Sequence, residues 1–375
     1  MLTIEKVDTQ TKAQVDRFVR LPFRLYKDHP QWVPPLLVDA KTNLNKQKHP
    51  FFEHSDGDFF IAIRNGEDVG RIAALENKRF NDYHNKRVAQ FYFFDCEEDQ
   101  EIANILFEQV FSWAKGRDLN RVVGPKGLGP LDGYGLLVEG YEHRQMMTMM
   151  NYNYPYYPRL VEALGFKKEV DFVSCYLHAD EFHLDERIHR IARRVQERGT
   201  LRVKKFKNKR ELRSWAGRIG KAYNNAFVEN WEYYPLTDHE VKFVLDNIMF
   251  VADHRLIKII THEEEVVGFL LGFPDVSAAL QRAKGRLLPF GIIDLLLDMR
   301  RTDWIALNGA GILPEHQGRG GNALLYSEME NTLRDYDFVH ADLTQVAESA
   351  VQMRRDLENL GGRPYKNHRV YARDI

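Results

Sequence analysis

Hydrophobic and polar positions along this chain follow two periods. Leu2, Ile4 and Val7 sit among polar neighbours in a short strand-like stretch, whereas Val15, Phe18, Val19 and Phe23 recur at helical spacing across 11–25. Two apolar runs, 59–63 and 69–74, flank the polar segment 64–68 with its Asn65-Gly66 pair and predict a β-hairpin. A fourth strand is predicted at 88–95, a helix at 100–115 and a fifth strand at 120–123.

The same succession returns in the second half. A strand at 201–206 is followed by helical spacing, strands at 256–260 and 266–271 flank another acidic turn, and a strand, helix and strand follow at 305–313, 322–334 and 338–343. A last helix at 349–360 leads to a closing strand at 368–372. Val69-Gly70 is matched by Val267-Gly268 and Leu164-Gly165 by Leu360-Gly361. These offsets lie near about 200 residues, the size of a whole domain rather than of a solenoid repeat. We therefore expect a mixed α/β tandem duplication with helices on both sheet faces: a first domain over 1–183, a linking helix over 184–200 and a second domain over 201–375. Each half carries its own insertion, 126–150 in the first and 274–301 in the second. Among a lid, a partner face, a membrane-touching helix and core cover, we expect the apolar 287–299 to cover core.

Composition narrows the class. A chain of 375 residues exceeds what one hydrophobic core normally serves, in keeping with two domains. A net charge of −1 argues against a nucleic-acid binder built on a broad basic surface. Cys96 and Cys175 have neither zinc-site nor disulfide-framework spacing, so both are expected as buried small hydrophobes and no metal is expected. No apolar run reaches membrane-spanning length and residues 1–6 lack a signal-like core, which points to the cytoplasm; oligomeric state stays open.

The stretch 305–325 carries the chemistry. An apolar strand runs into Leu313, Pro314 and Glu315, then Gln317-Gly318-Arg319-Gly320-Gly321, then Asn322 and a helix. Glycines let successive amides converge, and a helix start adds unpaired donors and the positive end of its dipole, which together form an anion cradle. Neither the P-loop pattern nor the dinucleotide fingerprint is present. At the corresponding place the first half has Cys96, Glu97, Glu98 and Asp99, whose acids satisfy the helix dipole themselves and repel phosphate.

The loop resembles the pyrophosphate motif Q/R-x-x-G-x-G/A of the GCN5-related N-acetyltransferases, with Gln317 and Gly320 in its first two places and Asn322, a good helix cap, in the third. Element order, loop and the late Leu360-Gly361 turn resemble that fold present twice. The type is that of tandem enzymes such as mycothiol synthase, in which one domain keeps acyl-CoA and the other has degenerated. The blocks at 32–35 and 49–52 resemble those of bacterial N-acetyltransferase-like proteins. The resemblance implies acetyl-CoA or another acyl-CoA as co-substrate. Ala310, Gly311 and Ile312 would face pantetheine, and Gln317, Gly318, Arg319, Gly320, Gly321 and Asn322 would surround the phosphates. A strand amide near Ile312 would polarise the thioester carbonyl.

The family's acid tyrosine falls at Leu357 here and at Val161 in the first half, and its strand carboxylate falls near Trp304, so neither group transfers. From position alone, Glu348 is the candidate base acting through water, with Ser349 beside it and Asn308 and Thr344 to orient the water. Tyr152, Tyr154, Tyr156 and Tyr157, with Met149 and Met150, form an aromatic patch suited either to core packing or to an acceptor site. The leading reading is acyl transfer to the amine of a small molecule or amino-acid-like acceptor. A non-catalytic acyl-CoA-binding module and a transferase using charged transfer RNA are the alternatives. Gly320→Glu is expected to abolish CoA binding and leave the fold intact.

Overall fold

A computed structural model describes every residue except 130, 131, 148, 149, 183 and 229, so Met149 lies outside the described residues. In chain order the first elements are β1 (Leu2–Lys6), α1 (Lys12–Leu25), α2 (Leu37–Leu44), β2 (Asp56–Arg64), β3 (Glu67–Glu76), α3 (Lys78–His84) and β4 (Val88–Cys96). They continue with α4 (Gln100–Lys115), β5 (Arg121–Gly124), β6 (Leu136–Glu139), α5 (Tyr156–Ala163), β7 (Lys167–His178) and α6 (Glu186–Arg198). Next come β8 (Arg202–Lys204), α7 (Lys209–Ser214), α8 (Ala216–Ala226), α9 (Asp238–Val251), β9 (Ile257–His262), β10 (Glu265–Pro274), α10 (Ser277–Ala283) and α11 (Gly291–Arg301). The chain ends with β11 (Trp304–Ile312), α12 (Gly321–Asp335), β12 (His340–Ala347), α13 (Val351–Asn359) and β13 (Arg363–Asp374).

These elements form two compact units: Met1–Val173, Ser277–Leu295 and Tyr365–Ile375 in the first, Ser174–Val276 and Leu296–Pro364 in the second. In the first, the strand order is β1-β2-β3-β4-β5-β13, with β6 also on β13. All pairs are antiparallel except β4 with β5. The period-two alternation of β2 divides its side chains between two cores. Phe59 and Ile61 meet Phe18 and Val19 of α1, while Phe60 and Ala62 meet Ile102, Leu106 and Phe107 of α4. Each fully buried phenylalanine contributes about 2–3 kcal/mol. The repeated Val-Gly pair also has a packing reason, since a Cβ at Gly70 would lie 2.8 Å from Ile102 Cγ2 and one at Gly268 would run into Ile312 Cδ1.

The second unit has the order β8-β9-β10-β11-β12-β7, antiparallel from β8 through β11 and parallel between β11 and β12. The closing strands are exchanged with respect to the sequence halves. β13, the last strand of the chain, pairs with β5 of the first unit from Tyr371↔Gly124 to Asp374↔Arg121. In the second unit the place next to β12 goes to the end of β7, where Ser174 Oγ accepts the Gln345 N–H at 3.1 Å.

The insertion at 274–301 differs from its expectation. Its first part docks on the first unit, with Gln281 Nε2 donating to Pro30 O at 2.8 Å and Trp32 O at 3.0 Å, and Leu37 N–H donating to Gly285 O at 2.9 Å. The apolar 287–299 is no core cover, because Leu288, Phe290, Ile293, Leu296 and Leu297 are exposed and only Leu295 of α11 is buried. Cys96 and Cys175 are free and buried, as composition predicts.

Candidate active site

The two units repeat one backbone device. Parallel pairing of β4 with β5 stops at Gln90↔Val123, although β4 continues to Cys96. Pairing of β11 with β12 stops at Leu307↔Leu343, although β11 continues to Ile312 and β12 to Ala347. Each fourth strand carries a ladder irregularity with its third strand and then a residue of positive φ, Phe93 at 49° and Gly309 at 102°. Such an irregularity bends a strand and ends its pairing. Each unit therefore has a notch whose walls are unpaired strand edges.

In the first unit the notch is filled from within. Tyr157 hydroxyl accepts the Cys96 N–H at 2.9 Å and donates to Cys96 O at 3.0 Å, and Tyr156 hydroxyl donates to the same carbonyl at 2.7 Å. Tyr26 hydroxyl donates to Asp95 at 3.1 Å and lies 3.1 Å from Tyr157 hydroxyl, while Arg71 Nε donates to Asp95 at 2.8 Å. The tyrosine patch thus packs as core: Tyr152, Tyr157 and Met150 are buried, and Tyr26, Tyr154 and Tyr156 stack in sequence. The α4 start is occupied as well. Asp99 accepts the Glu101 N–H at 2.8 Å, and Arg24, Arg64 and Arg159 bind Glu97, Asp99 and Glu98. Arginines pair with those acids, and the notch and the helix start are occupied by the unit's own side chains.

The second unit leaves the same places open. Between β11 and α12 it has residues 313–320, where the first unit has only 97–99. Leu313 N–H donates to Val267 O at 2.9 Å, as Glu97 does to Val69 O at 3.0 Å, so the two loops leave their strands identically. Pro314–His316 then makes one tight turn. Gln317 braces the loop with both its donors: its N–H bonds Pro314 O at 3.2 Å and its side-chain amide bonds Ile312 O at 3.2 Å. Leu324 N–H is the first to bond back, to Gly320 O at 3.2 Å, and among the described residues no backbone bond takes the amides of 318–323. No side chain caps α12, whose cap position is Gly320. Asn322 is therefore the second helical residue and an exposed side chain, not the cap expected of it.

The loop glycines divide their duties. Gly318 has φ +72° with nothing within 4 Å of an added Cβ, so its outer side is open space. Gly320 has φ +86°, and a Cβ there would lie 2.8 Å from Val195 Cγ2 and 2.9 Å from Ile191 Cγ2 of α6. Gly320→Glu would consequently disturb the α6–α12 packing, contrary to the expectation that it spares the fold. Arg319 is exposed and, among the described residues, forms no ion pair. α6 adds five exposed arginines, Arg187, Arg190, Arg193, Arg194 and Arg198, none in an ion pair among the described residues. Its Val195 end lies at Gly320, so this positive charge adds to that of the helix start.

Ala310, Gly311 and Ile312 follow the end of the β11–β12 ladder and pair on their other side with Leu270, Phe269 and Gly268. Asn308 is buried immediately past the last paired residue, opposite buried Thr344, whose Oγ1 donates to Asp342 at 2.5 Å. Glu348 is half-buried just after β12, and Ser349 is exposed. Ser349 does not cap the last helix: α13 starts at Val351 with Ala350 before it and no side-chain cap. Leu357 and Val161 are buried core, and Trp304 stacks on His340 at 4.6 Å at the closed end of the ladder.

Sequence reasoning missed two polar groups here. Tyr326 hydroxyl, on α12, and His316 Nδ1, at the loop entrance, are buried without a hydrogen-bond partner among the described residues. Burial raises the Tyr326 pKa, and the Asp356 carboxylate on α13 raises it further. Burial lowers that of His316, assisted by Arg319. Neither sits in a motif. Tyr326 follows the glycine loop on the helix it starts, the one signal that marks it.

No family model matches the chain. It is 28% identical over 382 residues to "Bacterial ceramide synthase" of Caulobacter vibrioides, covering 98% of this chain and 97% of that protein. It is 25% identical over 376 residues to "Protein YghO" of Escherichia coli, covering 97% and 94%. Among solved structures, a tandem GNAT protein from the clavulanic acid biosynthesis pathway matches all of this chain and 98% of its own, with TM-score 0.57 and 12% identity. A GCN5-related N-acetyltransferase from Sphaerobacter thermophilus matches all of this chain and 95% of its own, with TM-score 0.53 and 12% identity. The chain has the tandem GCN5-related N-acetyltransferase fold.

Proposed function

We propose that the chain is an N-acyltransferase that takes its acyl group from acyl-CoA in the second unit. One observation carries this reading: the β11–β12 ladder ends at Leu307↔Leu343 and is followed by an uncapped α12 with unbonded amides at 318–323. That geometry suits a long ligand with an anionic middle, its arm against β11 and its phosphates at the helix start. Ala310, Gly311 and Ile312 would line the arm, the amides of 318–323 and Arg319 would hold the phosphates, and Gln317 would keep the loop in shape. Acyl-CoA, when bound, supplies an acyl group activated as a thioester. Glu348 is the proposed base, relaying the ammonium proton through water, with Ser349 next to it in sequence and Asn308 as a further proposed polar group. Tyr326 offers a neutral hydroxyl to the departing sulfur.

The Caulobacter relative supports a class of acceptor. Its name denotes amide formation between a fatty acyl group and a long-chain amino alcohol. We extend that class to this chain: a long-chain acyl-CoA as donor and a long-chain amine as acceptor, in place of acetyl-CoA and a small amine. Buried Leu357, where a catalytic tyrosine would be sought, favours the non-catalytic acyl-CoA-binding reading as the second choice.

Calorimetry on the full chain should find one CoA per chain. Arg319→Glu should weaken binding about 10- to 100-fold, the effect of reversing one charge beside a diphosphate in partly screened surroundings. Two CoA per chain, or affinity unchanged by Arg319→Glu, would refute the site. Release of free thiol from palmitoyl-CoA on adding sphinganine supports the enzyme, whereas binding without thiol release with any amine supports the binding module.

A further inference from the structure

The insertion carrying α10 and α11 displays an apolar surface that no element among the described residues covers. Leu288 is 78% exposed, Phe290 75%, Ile293 55%, Leu296 51% and Leu297 41%. At 3.6 residues per turn Ile293, Leu296 and Leu297 share one face of α11 with Arg300, while buried Leu295 lies opposite. Leu288 and Phe290 extend that face into the preceding loop. Elsewhere the exposed apolar side chains stand singly on separate elements, such as Val38, Tyr83 and Val351, and single ones need no partner.

Charge identifies what would cover the face. Residues 282–301 hold five basic side chains, Arg282, Lys284, Arg286, Arg300 and Arg301, against Asp294 and Asp298, a surplus of three positive charges in a chain of net charge −1. Arg282 is spent on Asp294 at 2.8 Å, but Lys284, Arg286, Arg300 and Arg301 are exposed at the two ends of the apolar stretch. Apolar side chains bordered by exposed cations on long aliphatic stems complement a layer of hydrocarbon beneath anionic headgroups. α11 has 11 residues, about 16 Å, too short to cross a bilayer and long enough to lie along its surface. We propose that the 288–301 segment seats the protein on an anionic membrane, Leu288, Phe290, Ile293, Leu296 and Leu297 entering the headgroup–acyl boundary and Arg300 and Arg301 meeting lipid phosphates. The inference is independent of the donor site.

Flotation of the full chain with vesicles tests it. The protein should rise with phosphatidylcholine–phosphatidylglycerol vesicles and far less with phosphatidylcholine alone. Phe290→Ser and Leu296→Ser should each lower the partition coefficient about tenfold, since each removes one apolar side chain's burial. Arg300→Gln should lower it about fivefold on the anionic vesicles only. As these side chains are exposed, circular dichroism and melting should be unchanged, and Phe290→Trp should show blue-shifted emission on binding. Wild type that floats with neither vesicle, or serine variants that float as well as wild type, would overturn the proposal. So would a dimer in light scattering that Leu296→Ser dissolves, because a second copy would then cover the face.

Discussion

Gly318 and Gly320, two residues apart in one loop, should respond to alanine in opposite ways. Both lie at positive φ, +72° and +86°, where a Cβ costs about 1–2 kcal/mol. At Gly318 nothing lies within 4 Å of the new atom, so that strain is the whole cost. At Gly320 the new atom falls 2.8 and 2.9 Å from methyl groups of Val195 and Ile191. Separations under 3 Å force α6 or α12 to move, and overpacking of this kind adds about 1–3 kcal/mol. Gly320→Ala should then destabilise by about 2–5 kcal/mol and Gly318→Ala by about 1–2, measured by urea unfolding. Affinity should rank the other way per unit of stability lost. Gly318→Ala puts a methyl group on the open side of the loop and should weaken CoA binding about tenfold while costing less stability than Gly320→Ala. Equal destabilisation by the two alanines would refute the packing assigned to α6, and CoA affinity unchanged by Gly318→Ala would refute the cradle.

Two further outcomes follow from buried polar groups. Tyr326→Phe removes a buried hydroxyl that has no partner, so stability should hold or rise by about 1 kcal/mol; if the hydroxyl serves the departing thiolate, acyl transfer should fall at least about tenfold, and unchanged turnover would remove Tyr326 from the site. His368 is fully buried in the first unit with Nε2 3.0 Å from Asn151 O, and burial pushes its pKa down to about 4. The unfolded chain takes up that proton near pH 6.5, before the folded chain does, so the contribution is complete above 6.5 and is lost as pH falls toward 4. It amounts to about 3 kcal/mol. Urea titrations at a series of pH values should show this slope in wild type and not in His368→Phe.

Much of the fold was legible because its signals are local. The helix at Gln100–Lys115 and the hairpin β2–β3 carry their periodicity and turn residues within themselves, and the Val-Gly pairs marked the duplication because a helix or strand packs too close there for any side chain. Partner choice is not local. The apolar pattern of β13 suits any sheet edge, and nothing in 363–374 says that it pairs with β5. The insertion was misjudged for a related reason, since periodicity gives a helix an apolar face without saying whether another element faces it. In the loop, composition marked an anion cradle, but not that Gln317 is consumed in bracing it or that Gly320 faces α6. The filled notch of the first unit was legible only in part: the acids at 97–99 were visible, while Tyr157, the residue that closes it, lies about sixty positions further on.

The placement of β13 has a consequence for how the chain is made. The first unit is not complete when its 173 leading residues have left the ribosome, because Tyr365–Ile375 are still to be synthesised. Until then β5 presents an unsatisfied edge, and the nascent first half must wait for residues 365–375 to emerge. A stop codon shortly before residue 365 would spare every residue proposed to bind acyl-CoA and still leave the other unit unfinished. Damage within residues 365–375 should therefore first appear as proteolysis within the first 173 residues.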